Sequence, residues 1–245
     1  MLIRDEVALA GLIGCPACGA VLSHEPAGGF SCPDERCPLS GAPFPRAGGR
    51  SVLVDFGQSV LDRETVLREA GRSILLRRTA LHRRLLEAVE GGNPITPHYA
   101  ADMLARVASA GKARGRRGRL LIVGGGTVGS GAEALYRDAG VDVVAFDIYG
   151  SDVVTLIADA HAMPFAAGSF DGVWIQAVLE HVLDPVRVVG EIVRVLAPEG
   201  VVFADTPFLW PVHEAAYDYT RWTPGGHRWL FRDFDVLAAG VSSGP

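Results

Sequence analysis

The 245-residue sequence predicts an α/β protein with a doubly wound, mostly parallel sheet. From about residue 118 onward, apolar β-branched runs alternate with stretches of helical periodicity, which is typical of this fold class. A glycine-rich turn joins the first of these runs to the helix that follows it. All four cysteines lie between residues 15 and 37, which predicts a small, separate module ahead of the sheet.

The amino-acid composition indicates a globular protein and argues against disordered, nucleic-acid-coating and membrane-spanning classes. Apolar residues make up 49% of the chain, enough for a substantial core, so wholesale disorder is excluded. The net charge of -5 argues against a chain that is basic overall and coats nucleic acid, although a local basic patch stays open. No apolar run is long enough to span a bilayer, and the N-terminus lacks the order of a signal peptide. We therefore expect a cytoplasmic protein without a membrane association.

Composition shifts divide the chain into three expected parts, residues 1–57, 58–117 and 118–245. The first is rich in Cys, Pro and Gly. The second is expected to be a helical linker region. It would hold an amphipathic helix from Leu61 to Val89 with an arginine-rich outer face, then a helix from Pro97 to Ala110. The stretch "GKARGRRGR" is expected to be a flexible basic linker to the third part.

The third part is expected to contain six strands and three helices. The predicted strands are Leu120–Val123, Val141–Asp147, Val153–Ala158, Gly172–Gln176, "EGVVFADTPF" and "FDVLAAGV". The predicted helices are Ala132–Arg137, Pro185–Leu196 and "TPGGHRWLFRDF".

The turn after the first of these strands reads Gly124-x-Gly126-x-x-Gly129. Glycines between a strand and a helix allow a tight turn and the close approach of a ligand. Ligands in such sheets bind outside the carboxyl ends of the strands, where Asp147 and Asp159 are expected. A carboxylate after the second strand suits a ribose diol, because it can accept two hydrogen bonds. The glycines alone do not distinguish a dinucleotide site from a site for another nucleotide-like cofactor or from an ordinary turn.

Several further motifs follow in order: "VGGGTVG", "VAFDIYG", "ADAHAMPFAAGSFDGVW", "LEHV" and "LAPEG". Together they resemble the class I S-adenosylmethionine-dependent methyltransferases over about residues 118 to 242. The resemblance implies a Rossmann-like methyltransferase sheet, here without the family's last strand. A dehydrogenase would use the glycines and Asp147 but would give Asp159 and "LEHV" no role.

The resemblance also implies roles for particular residues. Asp147 would hold the ribose of the donor, and Asp159, with Ala160 beside it, would contact the adenine. The implied set of donor-binding residues is Gly124, Gly125, Gly126, Asp147, Ile148, Asp159, Ala160 and Gln176. Two positions depart from the family pattern, since Ile122 stands where an acid is usual and Val128 stands at the third glycine.

The cysteines are spaced as Cys15-x2-Cys18 and Cys32-x4-Cys37. Two closely spaced pairs can supply a tetrahedral sulfur site for a structural zinc ion. Two disulfides, or four unbonded thiols, are the alternatives. The segment resembles the zinc-ribbon domain fused to some methyltransferases, and "FPRAGGRSVLVDF" is similar to the closing strands of such a module.

The acceptor is expected in the loop from Pro207 to Pro224, where aromatic and ionisable residues are dense. His213 and Tyr217 are the candidate catalytic residues there, and His181 in "LEHV" is a third. The loop resembles a subset of the family with an "HE-x-x-YD-x-x-R-x-T-P" pattern, which favours small-molecule or saccharide-type acceptors. An RNA methyltransferase and a non-catalytic donor-binding scaffold are the alternatives, and oligomerisation stays open.

Overall fold

The structure is a computed structural model that describes residues 1–26, 28–68, 95–138, 140–209, 211–212 and 217–242. Nine strands lie in these residues: β1 Ser23–His24, β2 Phe30–Ser31, β3 Arg46–Ala47, β4 Arg50–Leu53, β5 Gly118–Val123, β6 Val141–Asp147, β7 Leu156–Ala158, β8 Phe170–Gln176 and β9 Leu196–Asp205. The described helices are α1 Arg63–Arg68, α2 Ile95–Ala113, α3 Glu133–Arg137, α4 Pro185–Val195 and α5 Pro224–Leu230. Most of the predicted helix Leu61–Val89 lies outside the described residues.

Seven strands form one sheet in the order β3-β4-β7-β6-β5-β8-β9. All neighbours are parallel except β3 and β4, which form an antiparallel pair. Strands β5 and β6 are buried along most of their length, as expected for central strands with both faces covered. The doubly wound α/β fold is therefore confirmed.

Helix α4 shows how the sequence sets an element's position. Asp184 caps it by accepting a hydrogen bond from the Arg187 amide, and Pro185 stands in its first turn. The apolar residues recur at helical spacing and bury one side of the helix against the sheet; they are Val188, Val189, Ile192 and Val195.

The opposite face of the sheet is covered by α2. Ala100, Met103 and Val107 share a buried cluster with Leu120 and Trp174. The helix approaches β5 so closely that a Cβ on Gly118 would lie 2.1 Å from the Val107 carbonyl oxygen. Only glycine fits there, so this position fixes the contact between helix and strand.

The basic stretch that follows α2 is not a flexible linker. Residues 111–113 end α2 and residues 118–119 begin β5. Between them, Arg114 and Arg116 both pair with Asp171, at 2.9 Å and 2.6 Å, and the carboxylate of Asp171 is fully buried. Because Asp171 opens β8, the two arginines bind this connection to the edge of the sheet opposite the expected cofactor site. The division of the chain into three domains stays a prediction.

The N-terminal residues also join the sheet. Strand β4 pairs in parallel with β7, so "FPRAGGRSVLVDF" extends the central sheet instead of closing a separate cysteine module. Ile13 forms a bridge with Phe165, and Leu9 and Ile13 are fully buried in the same core as α4. Apolar residues of the short N-terminal segment therefore gain burial from the larger domain.

The predicted last strand "FDVLAAGV" is wrong. Residues 234–241 contain no strand, and their apolar side chains Val236, Leu237 and Val241 are exposed. Strand propensity failed here because it does not show whether a strand edge is available for pairing, and residues 235–241 are exposed. No described helix is both long and apolar enough to cross a membrane.

Candidate active site

Strands β4 to β9 run in the same direction, so their carboxyl ends meet on one side of the sheet, called the carboxyl edge below. The glycine turn follows β5, Asp147 ends β6, Asp159 follows β7, Gln176 ends β8 and Asp205 ends β9. The fold thus brings the predicted donor-binding residues to one edge, where parallel sheets bind ligands.

The turn after β5 depends on its glycines. Gly124 has a φ of +70°, and a Cβ there would lie 2.1 Å from Cγ2 of Val178. The Gly126 amide donates to Oδ2 of Asp147 at 2.8 Å, and a Cβ on Gly126 would lie 2.6 Å from that oxygen. A side chain at Gly124 would therefore displace Val178, and one at Gly126 would displace Asp147.

Asp147 is a buried carboxylate beside this turn. Its Oδ1 accepts from the Ile148 amide at 2.7 Å, so two backbone amides orient the side chain. Burial, and then the nearby charge of Asp147, raises the pKa of Tyr136 above its usual value, so the tyrosine stays neutral. The edge thus presents a carboxylate, oriented by two backbone amides, next to the glycines of the turn. This fits an adenosine-type cofactor with a ribose diol.

Asp159 lies one strand further along the edge. Its Oδ1 caps the 3₁₀ turn Ala160–Ala162 by accepting from the His161 amide, and His161 Nδ1 lies 2.6 Å away. Ser59 donates to its other oxygen. Burial opposes ionisation, but the hydrogen bonds from His161 and Ser59 outweigh it and lower the pKa of Asp159. Ser59 comes from the segment after β4, a contact that the sequence did not predict.

Gln176 and Ile122 lie beside and beneath the glycine turn. Nε2 of Gln176 donates to the Ser130 carbonyl at 3.4 Å, and a Cβ on Gly129 would lie 2.3 Å from its Oε1. Gln176 therefore closes the glycine turn from the β8 side. Ile122 is buried in the apolar core beneath the turn.

The four cysteines converge as their spacing predicted. The sulfur atoms of Cys15 and Cys37 are 3.7 Å apart, those of Cys18 and Cys32 are 3.6 Å apart, and all four lie within 4.8 Å of one another. Four thiolates around one zinc ion, at about 2.3 Å each, would be about 3.8 Å apart. A disulfide would need about 2.05 Å. The observed spacing thus fits a tetrahedral metal site better than two disulfides.

Strand β8 is followed by the 3₁₀ turn Leu179–His181, which holds one of the candidate catalytic residues. The amides of Tyr219 and Thr220 donate to the Glu180 carbonyl, which holds the loop after β9 against this turn. His181 Nδ1 lies 2.7 Å from the Tyr217 carbonyl oxygen. Tyr217 and His181 are therefore brought together, Tyr217 through its backbone, whereas His213 lies outside the described residues.

Glu180 is a second residue at the carboxyl edge, after Ser59, that sequence reasoning missed. Its side chain is fully buried, and neither carboxyl oxygen has a hydrogen-bond partner among the described residues. Burial raises the pKa of Glu180 to about 7; Arg221 lowers it, and Asp205 and Asp218 raise it further. The motif "LEHV" contains Glu180, but the sequence of the motif does not indicate that the carboxylate is buried.

The strand order β7-β6-β5-β8-β9, with a glycine turn after β5 and an acid after β6, defines a Rossmann-like cofactor-binding domain. A family model described as a methyltransferase domain matches residues 121–204. A demethylmenaquinone methyltransferase of Paenarthrobacter aurescens is 30% identical over 193 residues, which cover 69% of this chain and 72% of the relative. The chain belongs to the S-adenosylmethionine-dependent methyltransferases of class I.

Two further matches are more limited. A demethylmenaquinone methyltransferase of Renibacterium salmoninarum is 39% identical over 92 residues, which cover 34% of this chain and 38% of the relative. A solved structure of phosphoethanolamine N-methyltransferase 2 from Haemonchus contortus, in complex with S-adenosyl-L-methionine, is 21% identical. It covers 63% of this chain and 41% of that chain, with a TM-score of 0.41.

Proposed function

We propose that the chain transfers the methyl group of S-adenosylmethionine to a small-molecule acceptor, with the donor at the carboxyl edge near β5, β6 and β7. Methyl transfer from this donor is the activity of the family. The single observation that most supports the donor position is the bond between the Gly126 amide and the Asp147 carboxylate. This bond supports the position because the acid that would bind the ribose is then directly beside the turn that would face the donor.

The remaining donor contacts follow from that position. Asp147, with Ile148 beside it, would bind the ribose, and Gly124 to Gly126 would face the donor with backbone alone. Asp159 and Ala160 would border the adenine. Since Ser59 and His161 already bond the Asp159 side chain, adenine selectivity would depend in part on how these two residues orient it.

A small molecule is the acceptor class that the relatives favour, because three curated relatives are named demethylmenaquinone methyltransferases. A saccharide-type acceptor remains within this class. The net charge of -5 does not favour RNA as the substrate. Asp171 compensates one of the two charges of Arg114 and Arg116, on the side of the sheet opposite the proposed donor site. Most of the arginine-rich helix expected at Leu61–Val89 lies outside the described residues, so RNA is kept as an outcome of the test below.

We also propose a structural zinc ion at Cys15, Cys18, Cys32 and Cys37. Four thiolates leave no open coordination position, so the metal would stabilise the N-terminal segment without taking part in catalysis. Elemental analysis of purified protein tests this directly, with one zinc per chain expected. Metal-free protein with two disulfides by mass would contradict it.

The function is tested by two measurements in series. Calorimetry with S-adenosylhomocysteine, which lacks only the methyl group, should show binding to the wild-type chain. A screen of small hydroxyl, amine and saccharide compounds with isotope-labelled donor should then show methyl transfer, and bulk RNA should show none. Labelled RNA with unlabelled small molecules would reverse the acceptor assignment.

A further inference from the structure

The segment that follows β4 reaches the carboxyl edge beside Asp159. Strand β4 pairs in parallel with β7, with Leu53 opposite Ala158. Parallel strands end at the same edge, so the chain after Leu53 and the chain after Ala158 leave the sheet side by side. The Ser59 amide donates to the Asp55 carbonyl at 2.9 Å and closes a turn, which brings the Ser59 hydroxyl to the Asp159 carboxylate.

Apolar packing anchors this segment on both sides of Ser59. Val54 and Leu61 are buried in one cluster with Ile157 of β7. Ile148, one of the residues expected to bind the donor, packs against the same cluster. The hydroxyl oxygen of Ser59 also accepts from the Leu61 amide at 3.2 Å. The core therefore fixes where the Ser59 hydroxyl lies at the carboxyl edge.

One oxygen of Asp159 is fully used by the turn that follows β7. Oδ1 accepts from the His161 amide at 2.9 Å and lies 2.6 Å from Nδ1 of the His161 ring. The Asp184 amide donates to Nε2 of that ring at 3.1 Å, so Nε2 carries no hydrogen and Nδ1 carries one. Nδ1 therefore donates to Oδ1, and both lone pairs of this oxygen are occupied.

The other oxygen of Asp159 keeps one acceptor position. A carboxylate oxygen can accept two hydrogen bonds, and among the residues that the structure describes only Ser59 donates to Oδ2. Burial acts to raise the pKa of Asp159, but the hydrogen bonds from His161 and Ser59 lower it, so the group is an ionised acceptor. The Asp159 side chain keeps 8% of its surface exposed, which leaves Oδ2 room for one N–H group of a ligand.

We propose that Ser59 is a positioning residue of the donor site, whose hydroxyl holds Oδ2 of Asp159 so that its remaining acceptor position selects the 6-amino group of the donor's adenine. This inference rests on the proposed function, which puts the adenine beside Asp159. It makes the N-terminal part of the chain a component of the donor site, although the family match begins only at residue 121.

Two ligands isolate the contribution of the amino group. They are S-adenosylhomocysteine and its analogue with a hydrogen atom in place of the 6-amino group. Calorimetry should show that wild-type protein binds S-adenosylhomocysteine about 10- to 150-fold more tightly, as expected for a hydrogen bond to a charged group. Equal binding of both ligands would overturn the inference. A wild-type protein that binds neither would contradict the proposed function itself, so the two failures are distinguishable.

Removing the Ser59 hydroxyl should affect only the ligand that carries the amino group. Ser59→Ala should bind S-adenosylhomocysteine about 2- to 10-fold more weakly, because Oδ2 loses the bond that orients it, and should bind the analogue with unchanged affinity. Ser59→Thr keeps the hydroxyl and should behave as wild type. Ser169→Ala is the matched control, since the Ser169 hydroxyl donates to the Ala166 carbonyl at the opposite edge of the sheet.

A purely structural role of Ser59 would give a different result. Equal weakening of both ligands in Ser59→Ala would overturn the positioning role, and so would unchanged or tighter binding of S-adenosylhomocysteine. Thermal melting shows whether the variants fold. If Ser59→Ala does not fold, Ser59→Cys provides the same comparison with the same expected direction, because a thiol has a similar size but is a weak donor.

Discussion

At the scale of single residues, the carboxyl edge holds carboxylates that lie in different environments. Two backbone amides orient Asp147, whereas Asp159 accepts hydrogen bonds from His161 and Ser59 that lower its pKa. Glu180 is fully buried, and this burial is the main cause that favours its neutral form. The same chemical group is thus expected to bind the donor at one position and to hold a proton at another.

The raised pKa of Glu180 makes stability depend on pH. The protonated folded state is favoured below the unfolded value of 4.5, and this contribution is lost as pH rises through about 7. Over that window, wild-type protein should lose about 3 kcal/mol of unfolding free energy relative to Glu180→Gln. Urea titrations at several pH values measure the difference. Parallel curves for the two proteins would show that Glu180 ionises normally.

At the scale of elements, ion pairs join the end of α2 to the start of β8. No sequence motif predicted these ion pairs. Asp171 has a fully buried carboxylate and accepts from Arg114, Arg116 and the Arg119 amide. It binds three points of the α2–β5 connection to the start of β8. The stretch "GKARGRRGR" resembles a linker in composition. However, Asp171, which lies 50 residues or more later in the chain, holds its arginines Arg114 and Arg116 in position.

Replacing Asp171 should therefore destabilise the fold strongly. Asp171→Asn leaves Arg114 and Arg116 without their buried partner, and such losses cost about 3–5 kcal/mol. Asp142→Asn is the matched control, since its pair with Arg117 is partly exposed and is worth about 0–1 kcal/mol. Denaturant unfolding of both variants compares the two costs. Equal, small effects would mean that α2 is held by its apolar contacts alone.

The cysteine cluster is the second element-scale feature, and its local geometry was predictable. The Gly19 amide donates to the Cys15 carbonyl, and the Leu39 amide donates to the Cys37 sulfur, so each pair forms a tight turn around its sulfur atoms. The packing of this segment on the α4 face was not predictable, because it depends on contacts such as Ile13 with Phe165.

Cys15→Ser should release the proposed metal and lower the melting temperature of the whole chain. The cysteine segment shares a hydrophobic core with the sheet, so its destabilisation should also destabilise the chain beyond residues 1–57. Chelator treatment of wild-type protein should have the same effect. Metal analysis and calorimetric melting measure both. An unchanged transition after complete metal removal would mean that the cysteines contribute nothing to the fold.

At the scale of the whole molecule, the sequence predicted the central strands and the edge where they end. Alternation of strand and helix patterns placed Leu120–Val123, Val141–Asp147 and Gly172–Gln176 within strands β5, β6 and β8. It failed for "FDVLAAGV". The strands expected within residues 46–53 are present, but they join the central sheet instead of the cysteine module, because strand pairing is decided by which partner is available in space. For the same reason Glu180 and Ser59 were not found, since burial and distant contacts leave no local pattern.

The central claim is that the carboxyl edge binds an S-adenosylmethionine-type donor through Asp147. Calorimetry with S-adenosylhomocysteine on wild-type protein, Asp147→Ala and the exposed control Asp152→Ala tests it most directly. We predict binding by the wild type and the control, and affinity weakened by about 1–3 kcal/mol, or about 5- to 150-fold, in Asp147→Ala with its fold intact. Equal affinity in Asp147→Ala, or no binding by the wild type, would contradict the claim.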